Sequence, residues 1–175
     1  MDKSREVTRS KRNRPISRFS DEVGGETEAE IAPLKCLLSD LTVLSTHSSK
    51  FSGTIVNQED AIAFAITVEF GQSGAIAFMP LNLRIRVDFY AKPVGRGEAL
   101  DLGCAIVHTT ANQFIYTPIL QINSGLKTIG LIANQAYQIT ALLRIGAPDY
   151  PAFVTGVLEG LMIQVYSAPP GLPTK

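Results

Sequence analysis

Through the middle of the chain, apolar residues recur at every second position. In AIAFAITVEF, residues 61–70, Ile62, Phe64, Ile66, Val68 and Phe70 fall on one side, and Ala61, Ala63, Ala65, Thr67 and Glu69 fall on the other. This is the period of a β-strand rather than of a helix. Its second face is smooth and mostly small. In LNLRIRVDFY, Leu81, Leu83, Ile85, Val87 and Phe89 alternate with Asn82, Arg84, Arg86, Asp88 and Tyr90, the pattern of a half-buried strand with a wet outer face.

LDLGCAIVH, NQFIYTPILQI, YQITALLRIG and LEGLMIQVY repeat the theme, with weaker runs at CLLSDLTVLS, FSGTIV, GLKTIGLIA and PAFVTG. Turn signals separate them at SSKFSG, GQSG, KPVGRGE, TTANQ, INSG and GAPDYP, where Gly, Pro, Asn and Ser supply the backbone angles that turns need. Pro118 inside FIYTPILQI lacks the N–H that a central ladder requires, so it marks an edge strand, a bulge or a split into two short strands. EAEIAPLKCLLSDL starts like a helix, but Pro33 breaks it early. The pattern predicts an all-β fold, an antiparallel two-sheet β-sandwich of jelly-roll or immunoglobulin-like type.

The sandwich is expected over residues 31–168. Residues 1–30 form a charge-segregated arm, and residues 169–175 a short Pro-rich tail. The first twenty residues carry seven cations against Asp2 and Glu6, and residues 21–30 carry five acids and no cation. The remaining 145 residues hold nine charges of each sign, so the asymmetry lies wholly in the arm. With so little to bury, the arm is expected to be disordered unless a partner holds it. Hydrophobic residues make up 45% of the chain and charged residues only 18%. A typical soluble domain carries about 25% charged residues, so some of this apolar excess is expected to be covered by another protein or by a second copy.

No stretch reaches the roughly 18 apolar residues of a membrane span, and the charged start does not suit a signal peptide. Cys36 and Cys104 sit singly in apolar runs, where a thiol behaves as a small hydrophobe. A reducing, cytoplasmic location follows as the expectation.

Catalytic, metal and cofactor constellations do not emerge, and the chain is expected not to be an enzyme. His47 falls in a turn. His108 ends the run CAIVHTT, far in sequence from any other histidine and from an acid cluster, so a metal site has little support. The loop at residues 92–101, with Glu98 and Asp101, offers with His108 an alternative small-ligand or catalytic site. Its GRG is too short for a dinucleotide fingerprint. Asp88 beside Arg84 and Arg86 suggests a cross-strand surface ion pair worth a few tenths of a kcal/mol. Carbohydrate binding is disfavoured by the lack of tryptophan, and only Tyr150 of the five tyrosines lies plainly in a loop.

The arm carries the sharper expectation. Lys11, Arg12, Arg14 and Arg18 are positioned to contact an acidic partner, nucleic acid included, with Arg84 and Arg86 as a second patch. Ser17 and Ser20 follow arginines at spacings that basophilic kinases accept, and phosphate there would cut the arm's charge. A basic arm before a sandwich is also the layout of small icosahedral virus coat proteins, a likeness of arrangement without any matching stretch of residues. The acidic residues 21–30 can compete with any phosphate partner by folding back on the basic ones. The reading that results is a non-enzymatic β-sandwich interaction or assembly module, oligomeric with itself or bound to another protein. A capsid-like shell protein whose arm holds nucleic acid is the alternative.

Overall fold

In the computed structural model, which describes residues 34–45 and 54–167, the alternating segments become nine strands in two sheets. The first sheet contains β1 (Cys36–Ser45), β3 (Ile62–Phe70), β6 (Ile115–Tyr116) and β7 (Ile119–Ile122). β3 lies at its centre, with β1 on one side and β6 and β7 end to end on the other. The second sheet has the order β2 (Ile55–Asn57), β9 (Val154–Tyr166), β8 (Gln135–Gly146), β4 (Arg84–Pro93), β5 (Leu100–His108). Pairing is antiparallel throughout except for β2, which runs parallel to β9. The expected two-sheet β-sandwich is therefore the fold, and that three-residue strand departs from a purely antiparallel scheme.

Alternation sets the core. Ile62, Phe64, Ile66, Val68 and Phe70 of β3 are all buried, as are Ile85, Val87, Phe89 and Ala91 of β4 and Tyr137, Ile139, Ala141, Leu143 and Ile145 of β8. Phe64 and Phe89 stack between the sheets with ring centroids 6.1 Å apart. Pro118 does what a proline must in a ladder: it splits one apolar run into β6 and β7 at the sheet edge, while its carbonyl still accepts the Ile66 N–H at 3.4 Å.

Two segments differ from the sequence expectation. GQSG, expected as a turn, instead leads into α1 (Gln72–Phe78), followed by a 3-10 turn at Met79–Leu81. Ala75 and Met79, four residues apart on one helical face, are buried and close one end of the sandwich. Leu81 accordingly lies exposed in that turn rather than in a strand. GLKTIGLIA, expected as a weak strand, forms a 3-10 turn at Leu126–Ile129 between Gly125 (φ 76°) and Gly130 (φ 87°). Leu126 and Leu131 anchor it in the core, so the burial that suggested a strand comes from two separated leucines.

The tyrosines inside the fold have structural work. The Tyr116 hydroxyl accepts the Thr110 N–H at 2.8 Å and donates to the Gln113 carbonyl at 2.9 Å, closing the 110–113 turn. The Tyr137 hydroxyl accepts the Ile132 N–H at 2.8 Å and donates to Gln135 Oε1 at 2.9 Å.

Candidate functional site

The outer face of the five-stranded sheet concentrates charge. The register sets Arg86 of β4 directly opposite Arg144 of β8, Arg84 opposite Gly146, and Asp88 opposite Leu142. Like charges facing each other across an antiparallel pair repel, and Asp88 relieves this by reaching both. Arg86 Nη2 lies 2.7 Å from Asp88 Oδ1 and Arg144 Nη2 lies 3.0 Å from Asp88 Oδ2. Arg86 Nε adds a hydrogen bond to Oδ1 at 2.8 Å. That hydrogen bond and the carboxylate charge hold the Arg86 guanidinium protonated even more firmly than usual. Asp88 is only 4% exposed, so the surface pair expected from the sequence is instead a buried carboxylate between two half-exposed guanidinia.

Arg84 makes no ion pair among the described residues. With Arg86 and Arg144 it lines a cleft of about 220 Å³, together with Gly146 at the end of β8 and Ala147, Tyr150, Pro151 and Ala152 of the β8–β9 connection. No carboxylate lines it. Arg144 Nε is buried without a hydrogen-bond partner. Arg84 and Arg86 were legible as a patch because alternation puts them on the wet side of one strand. Arg144 and Tyr150 were missed. The alternation in YQITALLRIG does turn Arg144 outward, but only the β4–β8 register brings it to Arg86.

The other expected sites are separated. His108 is exposed on the edge strand β5, opposite Arg84, whereas the 92–101 loop lies at the far end of β5, about 25 Å away at about 3.3 Å per residue. Asp101 is exposed and accepts the Gly103 N–H at 2.9 Å. The structure does not bring His108 and this loop into one site. Among the described residues no group of three His, Cys, Asp or Glu side chains could hold a metal ion, and no helix is long and apolar enough to cross a membrane. Cys36 and Cys104 are free thiols, partly buried, and burial pushes the Cys36 thiol above its ordinary value. Lys11, Arg12, Arg14, Arg18, Ser17, Ser20 and His47, with the segments 1–30 and 169–175, lie outside the described residues.

The outer face of the four-stranded sheet has the opposite character. Leu37, Ser39, Thr42 and Leu44 of β1 flank Glu69, Thr67, Ala65 and Ala63 of β3, with Ile115, Ile119 and Gln121 on the far side. Leu37, Leu44, Ile115 and Ile119 are each between 46% and 61% exposed. They stand as ridges beside a trough of small residues, and Glu69 is the one formal charge among these register-paired residues. Asp40 lies in the β1 bulge, at the sheet edge.

No family model and no curated protein matches the sequence. Among solved structures the chain is similar to a sporulation control protein from Bacillus subtilis, at TM-score 0.41 and 7% identity over 76% of this chain and 50% of that one. It is similar to a β-glucosidase from Listeria innocua at TM-score 0.40 and 9% identity, over 77% of this chain and 16% of that one. The major subunit of aggregative adherence fimbriae type I from Escherichia coli gives TM-score 0.35 and 9% identity, over 77% and 96%. The chain thus spans half the length of the first and about a sixth of the second. All three likenesses are of β-rich architecture.

Proposed function

We propose that this chain is a non-enzymatic interaction module that pairs with a second copy of itself through the outer face of the four-stranded sheet. The observation that carries the reading is the set of exposed apolar side chains on this face: Leu44 and Ile119 beside Ala63 and Ala65, and Leu37 and Ile115 on either side of Glu69, the one charge among these paired residues. Contiguous exposed apolar surface rimmed by polar residues marks interaction sites. A nearly uncharged face of ridges and trough suits a like face, because two-fold pairing brings no large charge repulsion. Nine residues by three strands span about 30 Å by 15–20 Å, or about 450–600 Å². A standard interface buries about 800 Å² per partner, so the pair is a concentration-dependent dimer rather than an obligate one.

Face pairing is favoured over edge pairing. β1 is the long free edge of this sheet, but a bulge between Ser39 and Thr42 breaks its ladder, and Asp40 within it adopts φ 53° and is exposed. A bulge and a charge on an edge are devices that block strand addition.

Light scattering on a sizing column tests the reading with the intact chain and with Leu44→Lys and Ile119→Lys, both changes on exposed side chains. A dimer that dissociates on dilution and is lost in both variants is the expected result. A monomer at every concentration, or a dimer indifferent to both changes, overturns it. Very large particles with a high 260/280 nm absorbance ratio would favour the nucleic-acid-holding shell instead.

A further inference from the structure

We infer that the cleft formed by Arg84, Arg86, Arg144 and the 147–152 connection is a binding site for a small tetrahedral oxyanion, either inorganic phosphate or the phosphate group of a small ester. It lies on the opposite sheet from the proposed pairing face and does not depend on it.

The arginines exceed what the fold needs. One carboxylate, Asp88, neutralises part of the charge of Arg86 and Arg144, and Arg84 has no acidic partner among the described residues. Three guanidinia around one acid leave two net positive charges at the mouth of a concave site. The connection opposite them contributes Ala147, Tyr150, Pro151 and Ala152 to the lining, with no acid. Asp149 belongs to the same connection but does not line the cleft. A guanidinium presents forked N–H donors that match phosphate and carboxylate oxygens. The fold positions these forks on adjacent strands, so they are fixed by ladder register rather than by a loop.

Size and donor number select the ligand class. Pockets for drug-sized ligands run from about 300 to 1,000 Å³, and this cleft holds about 220 Å³, too little for a nucleotide but enough for a phosphate with a small substituent. One fork satisfies both oxygens of a carboxylate. Three convergent guanidinia instead suit an anion with three or four acceptor oxygens. Exposed Tyr150 and Pro151 give one wall an apolar surface for the substituent.

The test is titration of the full chain with inorganic phosphate at constant ionic strength, following the arginine Nε–Hε NMR signals. Saturable shifts of Arg84 and Arg144 with a Kd of about 1 mM or tighter are expected. Arg84→Gln should weaken binding about tenfold without moving the melting temperature, since Arg84 makes no ion pair. Replacing Lys11, Arg12, Arg14 and Arg18 by Gln should leave the cleft's affinity unchanged, which separates it from phosphate held by the arm. Phosphate also stabilises proteins generally by exclusion from their surface; that effect persists in Arg84→Gln and is not saturable. Absence of saturable shifts at Arg84 and Arg144, equal affinity in Arg84→Gln, or acetate binding as tightly as phosphate each overturns the proposal. A Leu44→Lys chain should bind phosphate unchanged, so loss of self-pairing and loss of the anion site are read apart.

Discussion

Replacing Asp88 by Asn keeps the shape of the side chain and one acceptor oxygen but removes the charge that separates Arg86 from Arg144. Breaking a buried ion pair by deleting one partner costs about 3–5 kcal/mol. Here the partners' side chains are 41% and 42% exposed, so water takes up much of the guanidinium charge that Asp88 releases, and the full figure does not apply. A hydrogen bond to a charged group contributes about 1.5–3 kcal/mol. Of the two contacts, only the one from Arg86 to Oδ1 is well directed, and Asn can still accept it in weaker, neutral form. The expected loss for Asp88→Asn is therefore about 2 kcal/mol, well outside the roughly 0.5 kcal/mol of an ordinary surface change. For a body of this size the melting temperature should fall by roughly 4–8 °C.

Urea unfolding at two salt concentrations checks the cause as well as the size. Between about 0.1 M and 1 M salt the screening length falls from about 10 Å to about 3 Å. The wild-type attraction then weakens, and the guanidinium repulsion in the variant weakens too. The stability gap between wild type and Asp88→Asn should accordingly narrow as salt rises. A loss under about 0.5 kcal/mol, or a gap that salt does not change, would refute the claim that Asp88 acts by neutralising two facing arginines.

Tyr116→Phe should lower stability by about 1 kcal/mol in the same urea assay, because it removes the buried hydroxyl that bonds the Thr110 N–H and the Gln113 carbonyl in a part-buried turn. Gly125→Ala should lower it by about 2–3 kcal/mol, since Gly125 sits at φ 76° and ψ 155°, where L side chains are strained, and the added Cβ would lie 3.2 Å from the Gln58 carbonyl oxygen. In a Cys104→Ala chain, alkylation of Cys36 by iodoacetamide should be slower at pH 8 than that of a free thiol and accelerate only above the ordinary thiol value of 9.0, because burial holds its thiol protonated. The folded chain then binds the proton more tightly than the unfolded one. Stability from this site is therefore present at lower pH and is lost as pH rises past 9.0, and a pH-independent alkylation rate would contradict it.

How much of this was legible depends on whether a feature is local or set by register. Period-two alternation is local, and it identified β3, β4 and β8 as strands, with the inward residues of β3 and Ile85, Val87 and Phe89 of β4, because each strand buries one face whatever its neighbours are. Pro118 was legible for the same reason, as its missing N–H acts at its own position. α1 was not, since seven residues containing Gly and Ser offer too short a window for a helical period, and the helix stands by tertiary burial of Ala75 and Met79. The parallel pairing of β2 with β9 joins segments about a hundred residues apart, which no local pattern encodes. The same division separates the two candidate surfaces. The smooth face of β3 appears in its own sequence as Ala61, Ala63, Ala65 and Thr67, so one side of the proposed pairing surface could be anticipated from one strand. The arginine cleft needs two strands in fixed register: Arg84 and Arg86 alone look like solvated charges, and they become a site only when the β4–β8 pairing sets Arg144 opposite Arg86 and buries Asp88 between them.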